Sequence, residues 1–290
     1  MAPRHWPQIS PTKEPQLPSS IKVQGYEGIR INVWDYGGDG PPLIMTHPTG
    51  THGRIWDKLA TRISSKFRVL APDARGHGYS DKPGDLEAYA WSYSGEDLLA
   101  VIDGLELGEE LLALGHSSGG AHILYAELAR PFTFGRLVLV DPIAFPPDLH
   151  DRRLADLVIR RRSVFVNREE AREKLAAKKP MQAWDSEVLD SLVCHGFDDL
   201  PDGSVRLKCL PEIEAAIYNH GEARDLFDQL GDFRNPTMLV TGECSYYREM
   251  VCRQHAELRS AVLRTVASAT HFVPQESPVT MYDLVSEWLM

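Results

Sequence analysis

Short apolar runs alternate along this chain with apolar positions at helical spacing, the pattern of a parallel sheet with crossover helices. Residues 21–23 and 29–34 read as an opening antiparallel pair, closed by the turn Gly37-Gly38-Asp39-Gly40. Residues 43–46 form a buried strand, and Trp56, Leu59 and Ile63 mark a helix after it. A further strand covers 68–71, and Leu98, Val101, Ile102 and Leu105 repeat at helical spacing within 96–105. The strand 111–114 runs into Gly-His-Ser-Ser-Gly-Gly, and the helix over 118–129 ends before Pro131. Residues 137–140 are a buried strand ended by Asp141-Pro142. From Pro146 to about Arg224 the rhythm is interrupted, leaving helical stretches and a turn at Pro201-Asp202-Gly203. It resumes with strand 237–241, a helix around 246–258, strand 262–266, His271 and a last amphipathic helix over 279–290. An interruption that resumes predicts an insertion into one core rather than a second domain.

Composition narrows the function classes. With 31 Lys+Arg against 41 Asp+Glu, the formal net charge of −10 excludes a general affinity for nucleic acid or anionic membranes. No apolar run reaches the ~18 residues that span a bilayer. Residues 1–20 carry five prolines and no apolar signal-like stretch, and are expected to form an extended N-terminal arm. Four scattered cysteines without a C-x-x-C pair predict reduced thiols, hence a cytoplasmic location. No metal site or cofactor is implied. Between His150 and Pro180 ten Lys and Arg face five acidic residues, a local net charge of +5. This is either a solvated helix surface or a patch that attracts an anionic substrate. Trp56, Trp91, Trp184, Phe145 and Phe165 are core or pocket-lining residues.

The chemistry concentrates in Gly115-His116-Ser117-Ser118-Gly119, a G-x-S-x-G between a buried strand and a helix. A sharp turn there forces the serine into a strained, exposed position and needs small neighbours for the backbone to pass. Ser117 is therefore the expected nucleophile. A serine hydroxyl needs an adjacent base. Of 11 histidines, His271 follows the last predicted strand, so nucleophile and base run in the chain order of this turn type. His116 lies inside the turn and is poorly aimed at its neighbour.

These residues make the chain similar to the α/β-hydrolase superfamily from about Ile21 to Met290. His47-Pro48-Thr49-Gly50 resembles the family's H-G oxyanion loop, and Asp73 to Ser80 its mainly structural D-x-R-G-x-G-x-S turn. The resemblance implies an α/β fold: a doubly wound, mostly parallel eight-stranded sheet. Residues 21–145 and 225–290 would form the core, and 146–224 a helical cap inserted after the sixth strand. It also implies a Ser–His–acid enzyme without a cofactor, acting on a small molecule as a monomer or homodimer. Proline has no N–H, so the oxyanion donors would be the N–H groups of Thr49 and Ser118, with His47 and His116 beside them.

One departure bears on the acid. The family's usual position after the seventh strand reads Gly242-Glu243-Cys244-Ser245-Tyr246, with serine where aspartate is expected. Asp141, at the end of the preceding strand, and Glu243 are the candidates, and Asp141 could also be only a strand-end cap. The expected reaction is hydrolysis of a carboxylic ester, thioester or lactone. Cleavage of a C–C bond beside a carbonyl, or a binding protein with its acid lost, are the alternatives.

Overall fold

The computed structural model describes residues 17–108, 111–149, 153–220 and 223–290. Strands β1 (Ser19–Gln24), β2 (Arg30–Asp35), β3 (Pro42–Thr46), β4 (Arg68–Pro72), β5 (Leu111–His116) and β6 (Phe134–Val140) precede the insertion. Within it lie β7 (Val164–Phe165), β8 (Phe197–Asp199) and β9 (Val205–Leu207), and after it β10 (Thr237–Gly242) and β11 (Ala261–Val266). Eight of these form one sheet in the order β1-β2-β4-β3-β5-β6-β10-β11. The pairs β1–β2 and β2–β4 are antiparallel, and the rest of the sheet is parallel.

Alternation along the central strands sorts side chains to two faces. Leu111, Ala113, Leu137, Leu139 and Leu239 join one core with helices α2 (Trp91–Gly104) and α3 (Ser118–Ala129). Leu112, Leu114, Val138, Val140 and Val240 join the other with α1 (Asp57–Ile63) and the C-terminal helix Pro278–Leu289. Covering both faces explains why these strands read as continuous apolar runs. The chain leaves β3 toward β4, then returns to place β5 on β3's other side. The loops after β3 and β5 therefore flank the point where strand order reverses, where such sheets bind ligands.

The expected arm falls mostly on residues 1–16, outside the described residues, and its last two residues, Ser19 and Ser20, already belong to β1. The interrupted segment also differs from an all-helical insertion. Besides helices Arg153–Val158, Arg168–Ala176, Ser186–His195 and Pro211–Asn219, it holds the antiparallel sheet β7-β9-β8. Strands of two or three residues are too short to show a period-2 pattern. The turn at 201–203 is the hairpin joining β8 to β9. This segment packs on loops at the C-terminal ends of the large sheet's strands: His52 Nε2 lies 3.2 Å from the Leu192 carbonyl, and Asp185 N–H donates to Gln275 O at 2.8 Å.

Candidate active site

The ends of β3 and β6 lie beside the turn that carries Ser117. The residue sits between β5 and α3 at φ 56°, ψ −120°, backbone strain that the turn imposes. The small neighbours are required by close approach. A Cβ on Gly119 would stand 2.3 Å from the Thr46 carbonyl, and one on Gly120 would stand 2.6 Å from Pro142 Cβ. Ser117 Oγ forms no hydrogen bond within the described residues. Ser118 is the first residue of α3, so its N–H has no acceptor within the helix. Thr49 N–H donates to no described group either, and both lie where the sheet order reverses.

β6 runs beside β5 and ends one residue before Asp141. Asp141 is fully buried. Its Oδ2 accepts from His271 Nδ1–H at 3.1 Å and from Ser245 Oγ–H at 2.6 Å, while Oδ1 has no partner. Ser245, standing where the family usually carries its acid, thus holds the carboxylate at the end of the neighbouring strand. Its Oγ in turn accepts the Tyr247 N–H at 3.1 Å. Glu243 is exposed, and its Oε2 accepts the Ser268 N–H at 2.9 Å, away from His271.

His271 reaches Asp141 because its loop lies across the end of β10. There a Cβ on Gly242 would meet the Thr270 carbonyl at 2.2 Å, so only glycine allows the crossing. The rings of His116, Phe272, Tyr246 and Tyr247 surround the imidazole at centroid distances of 4.8, 5.0, 5.2 and 5.0 Å. Sequence reasoning missed this aromatic enclosure. Its Nε2 is left without a protein partner among the described residues.

Two of the expected site histidines bond to loop backbone. His116 is fully buried and donates from Nε2 to the His271 carbonyl at 2.9 Å, and burial holds its pKa well below the usual value. That bond ties the end of β5 to the loop that carries His271. His47 donates from Nδ1 to Pro48 O at 2.9 Å and accepts the Ala74 N–H on Nε2 at 3.0 Å. His77, which sequence reasoning passed over, repeats the device: Nδ1 donates to Arg75 O and Nε2 accepts the Gly50 N–H, both at 2.9 Å. Burial lowers the pKa of both rings, which keeps them neutral and able to accept. Together they tie the loop after β3 to the turn after β4.

That turn is structural as expected. Buried Asp73 accepts from Asn32, Trp34, Gly53 and Tyr79, and Arg75 pairs with buried Asp97 at 2.7 Å. Trp56, Trp91, Trp184, Phe145 and Phe165 are all buried. Among the described residues no group of three or more His, Cys, Asp or Glu side chains could hold a metal ion, and no helix is long and apolar enough to cross a membrane.

This geometry has known relatives. The model of the alpha/beta hydrolase family matches residues 43–284. The chain belongs to that family. Its curated hydrolase relatives include Lipase LipV of Mycobacterium tuberculosis, 32% identical over 181 residues, 60% of this chain and 65% of the lipase. An uncharacterized protein of Mycobacterium bovis is 32% identical over 124 residues, 42% of this chain. The chain thus spans about a third of that relative's length (35%). Among solved structures, a thioesterase domain from the curacin biosynthetic pathway superposes with a TM-score of 0.80 at 20% identity, covering 94% of this chain and 100% of that one. At that identity the likeness speaks for the hydrolase fold alone.

Proposed function

We propose that this alpha/beta hydrolase is a serine hydrolase cleaving a carboxylic ester, thioester or lactone of modest size. The observation that carries the reading is the buried His271–Asp141 contact of 3.1 Å, formed at the strand end next to the strained Ser117 turn. Ser117 Oγ attacks the substrate carbonyl while its proton passes to His271 Nε2, the ring nitrogen left free. Asp141 holds the Nδ1–H tautomer and stabilises the imidazolium that forms. The N–H groups of Thr49 and Ser118 receive the oxyanion, each worth ~2.7–4 kcal/mol of transition-state stabilisation. His271 then protonates the leaving alcohol or thiol. In the second half it takes a proton from water, whose oxygen attacks the acyl carbonyl, and returns that proton to Ser117 as the acid leaves.

The test labels wild type and Ser117→Ala with a fluorophosphonate probe, alongside turnover of p-nitrophenyl acetate and butyrate. Labelling and turnover that both vanish with Ser117 are expected. A folded wild type that resists the probe would refute the reading and favour a binding protein on the hydrolase fold.

A further inference from the structure

The segment 146–224 meets the loop after β3 around a small pocket of about 50 Å³. A cavity that size holds roughly three or four waters, hence a carboxylate group. Four of its lining residues are cations, Arg161, Arg162, Lys178 and Lys208, and none is Asp or Glu. That is unusual for a chain of net charge −10. Three of the cations have carboxylate partners: Arg161 with Glu214 at 2.5 Å, Arg162 with Glu170 at 2.8 Å, and Lys208 with Asp198. Lys178 Nζ has no partner among the described residues. Burial and the nearby Arg161 lower the Lys178 pKa, against the Glu214 carboxylate, which raises it.

The pocket floor is Gly50 and Thr51, adjoining Thr49. A Cβ on Gly50 would stand 2.8 Å from Glu214 Oε1 and 3.6 Å from Arg161 Nη1. With consecutive Cα atoms ~3.8 Å apart, the Arg161 guanidinium lies within roughly 10 Å of the Thr49 N–H. The Arg161–Glu214 pair is pinned against the loop, and Lys178 is the ammonium left to meet a ligand.

We propose that this pocket takes the anionic end of the substrate, a carboxylate held by Lys178 and Arg161. The idea rests on the serine-hydrolase reading for the reaction it serves, and narrows the substrate class to esters or thioesters of an acid bearing a second carboxylate, or of a carboxylate-bearing alcohol or thiol.

Calorimetry on the full chain at low salt would compare glutarate with glutaramide, the same length with no charge. Glutarate is expected to bind at least tenfold tighter, Lys178→Gln to erase that preference, and Lys178→Arg to retain it. Bound glutarate should also slow fluorophosphonate labelling of Ser117. Equal binding of glutarate and glutaramide, a preference that survives Lys178→Gln, or glutarate binding without protection of Ser117 would each overturn the proposal. If Ser117 is unlabelled even without ligand, the hydrolase reading fails separately, and the calorimetry by itself upholds or overturns the anion pocket.

Discussion

Replacing Asp141 by Asn removes one oxygen's charge from a fully buried position and leaves the shape nearly unchanged. Oδ2 accepts from both His271 Nδ1–H and Ser245 Oγ–H, whereas Oδ1 has no partner. If the Asn carbonyl takes the Oδ2 place, both hydrogen bonds survive but nothing stabilises the imidazolium, and the amide NH₂ is orphaned. If the amide turns over, its N–H groups face Nδ1 and force the Nε2–H tautomer, which cannot accept the Ser117 proton. Either way kcat should fall ~10⁴-fold, about 5.4 kcal/mol of barrier. Stability should change by no more than about 3 kcal/mol, because one orphaned donor replaces one buried charge. Steady-state hydrolysis of p-nitrophenyl butyrate, with a melting curve beside it, reads both quantities. Glu243→Gln is the companion, and should leave kcat within about twofold since that carboxylate is exposed and caps Ser268. A folded Asp141→Asn variant retaining kcat within tenfold of wild type would refute the assignment, as would a large loss in Glu243→Gln.

Other perturbations follow from the same contacts. Ser245→Ala deletes the 2.6 Å donor to Asp141. A hydrogen bond to a charge is worth about 1.5–3 kcal/mol, so kcat should drop roughly tenfold or more with KM little changed; an unaltered kcat would show that Ser245 is a bystander. Gly119→Ala drives a methyl to 2.3 Å from the Thr46 carbonyl, and chemical denaturation should show a loss of about 3 kcal/mol or more. A stable Gly119→Ala protein would contradict the tightness of the turn. Burial lowers the His122 pKa to about 3, below the ~6.5 of the unfolded chain. The unfolded state then binds the proton first, so this residue's contribution is intact above pH 6.5 and is lost as pH falls toward 3. Between pH 8 and 5.5 wild type should lose about 1 kcal/mol more stability than His122→Gln, and equal losses would be evidence against that burial.

Much of the sheet was readable because its signals are local. Buried strands on either side of a covered sheet are apolar runs wherever they occur, so 111–114 and 137–140 announce themselves, as does a helix that stops before Pro131. Ser117 was legible for a similar reason, since the turn it needs demands glycines within a few residues. The strands of the inserted segment were not, because two or three residues give no period to read. Nor was the acid. Asp141, Glu243 and Ser245 each lie within a few residues of a strand end, and the sequence by itself left two carboxylates competing for one histidine. Their roles depend on which strands are neighbours and on which side of Gly242 the 269–271 loop crosses. His116, His47 and His77 follow the same rule: each was visible as a histidine near a motif, but its task is set by a carbonyl or N–H from a distant loop. The chain alone therefore determined the order of elements and the nucleophilic turn, which arise from backbone sterics and short-range periodicity. Tertiary structure decided that Ser245 donates to Asp141 and that cations gather beside the loop after β3, because sheet pairing and the packing of the inserted segment bring together residues about 100 positions apart.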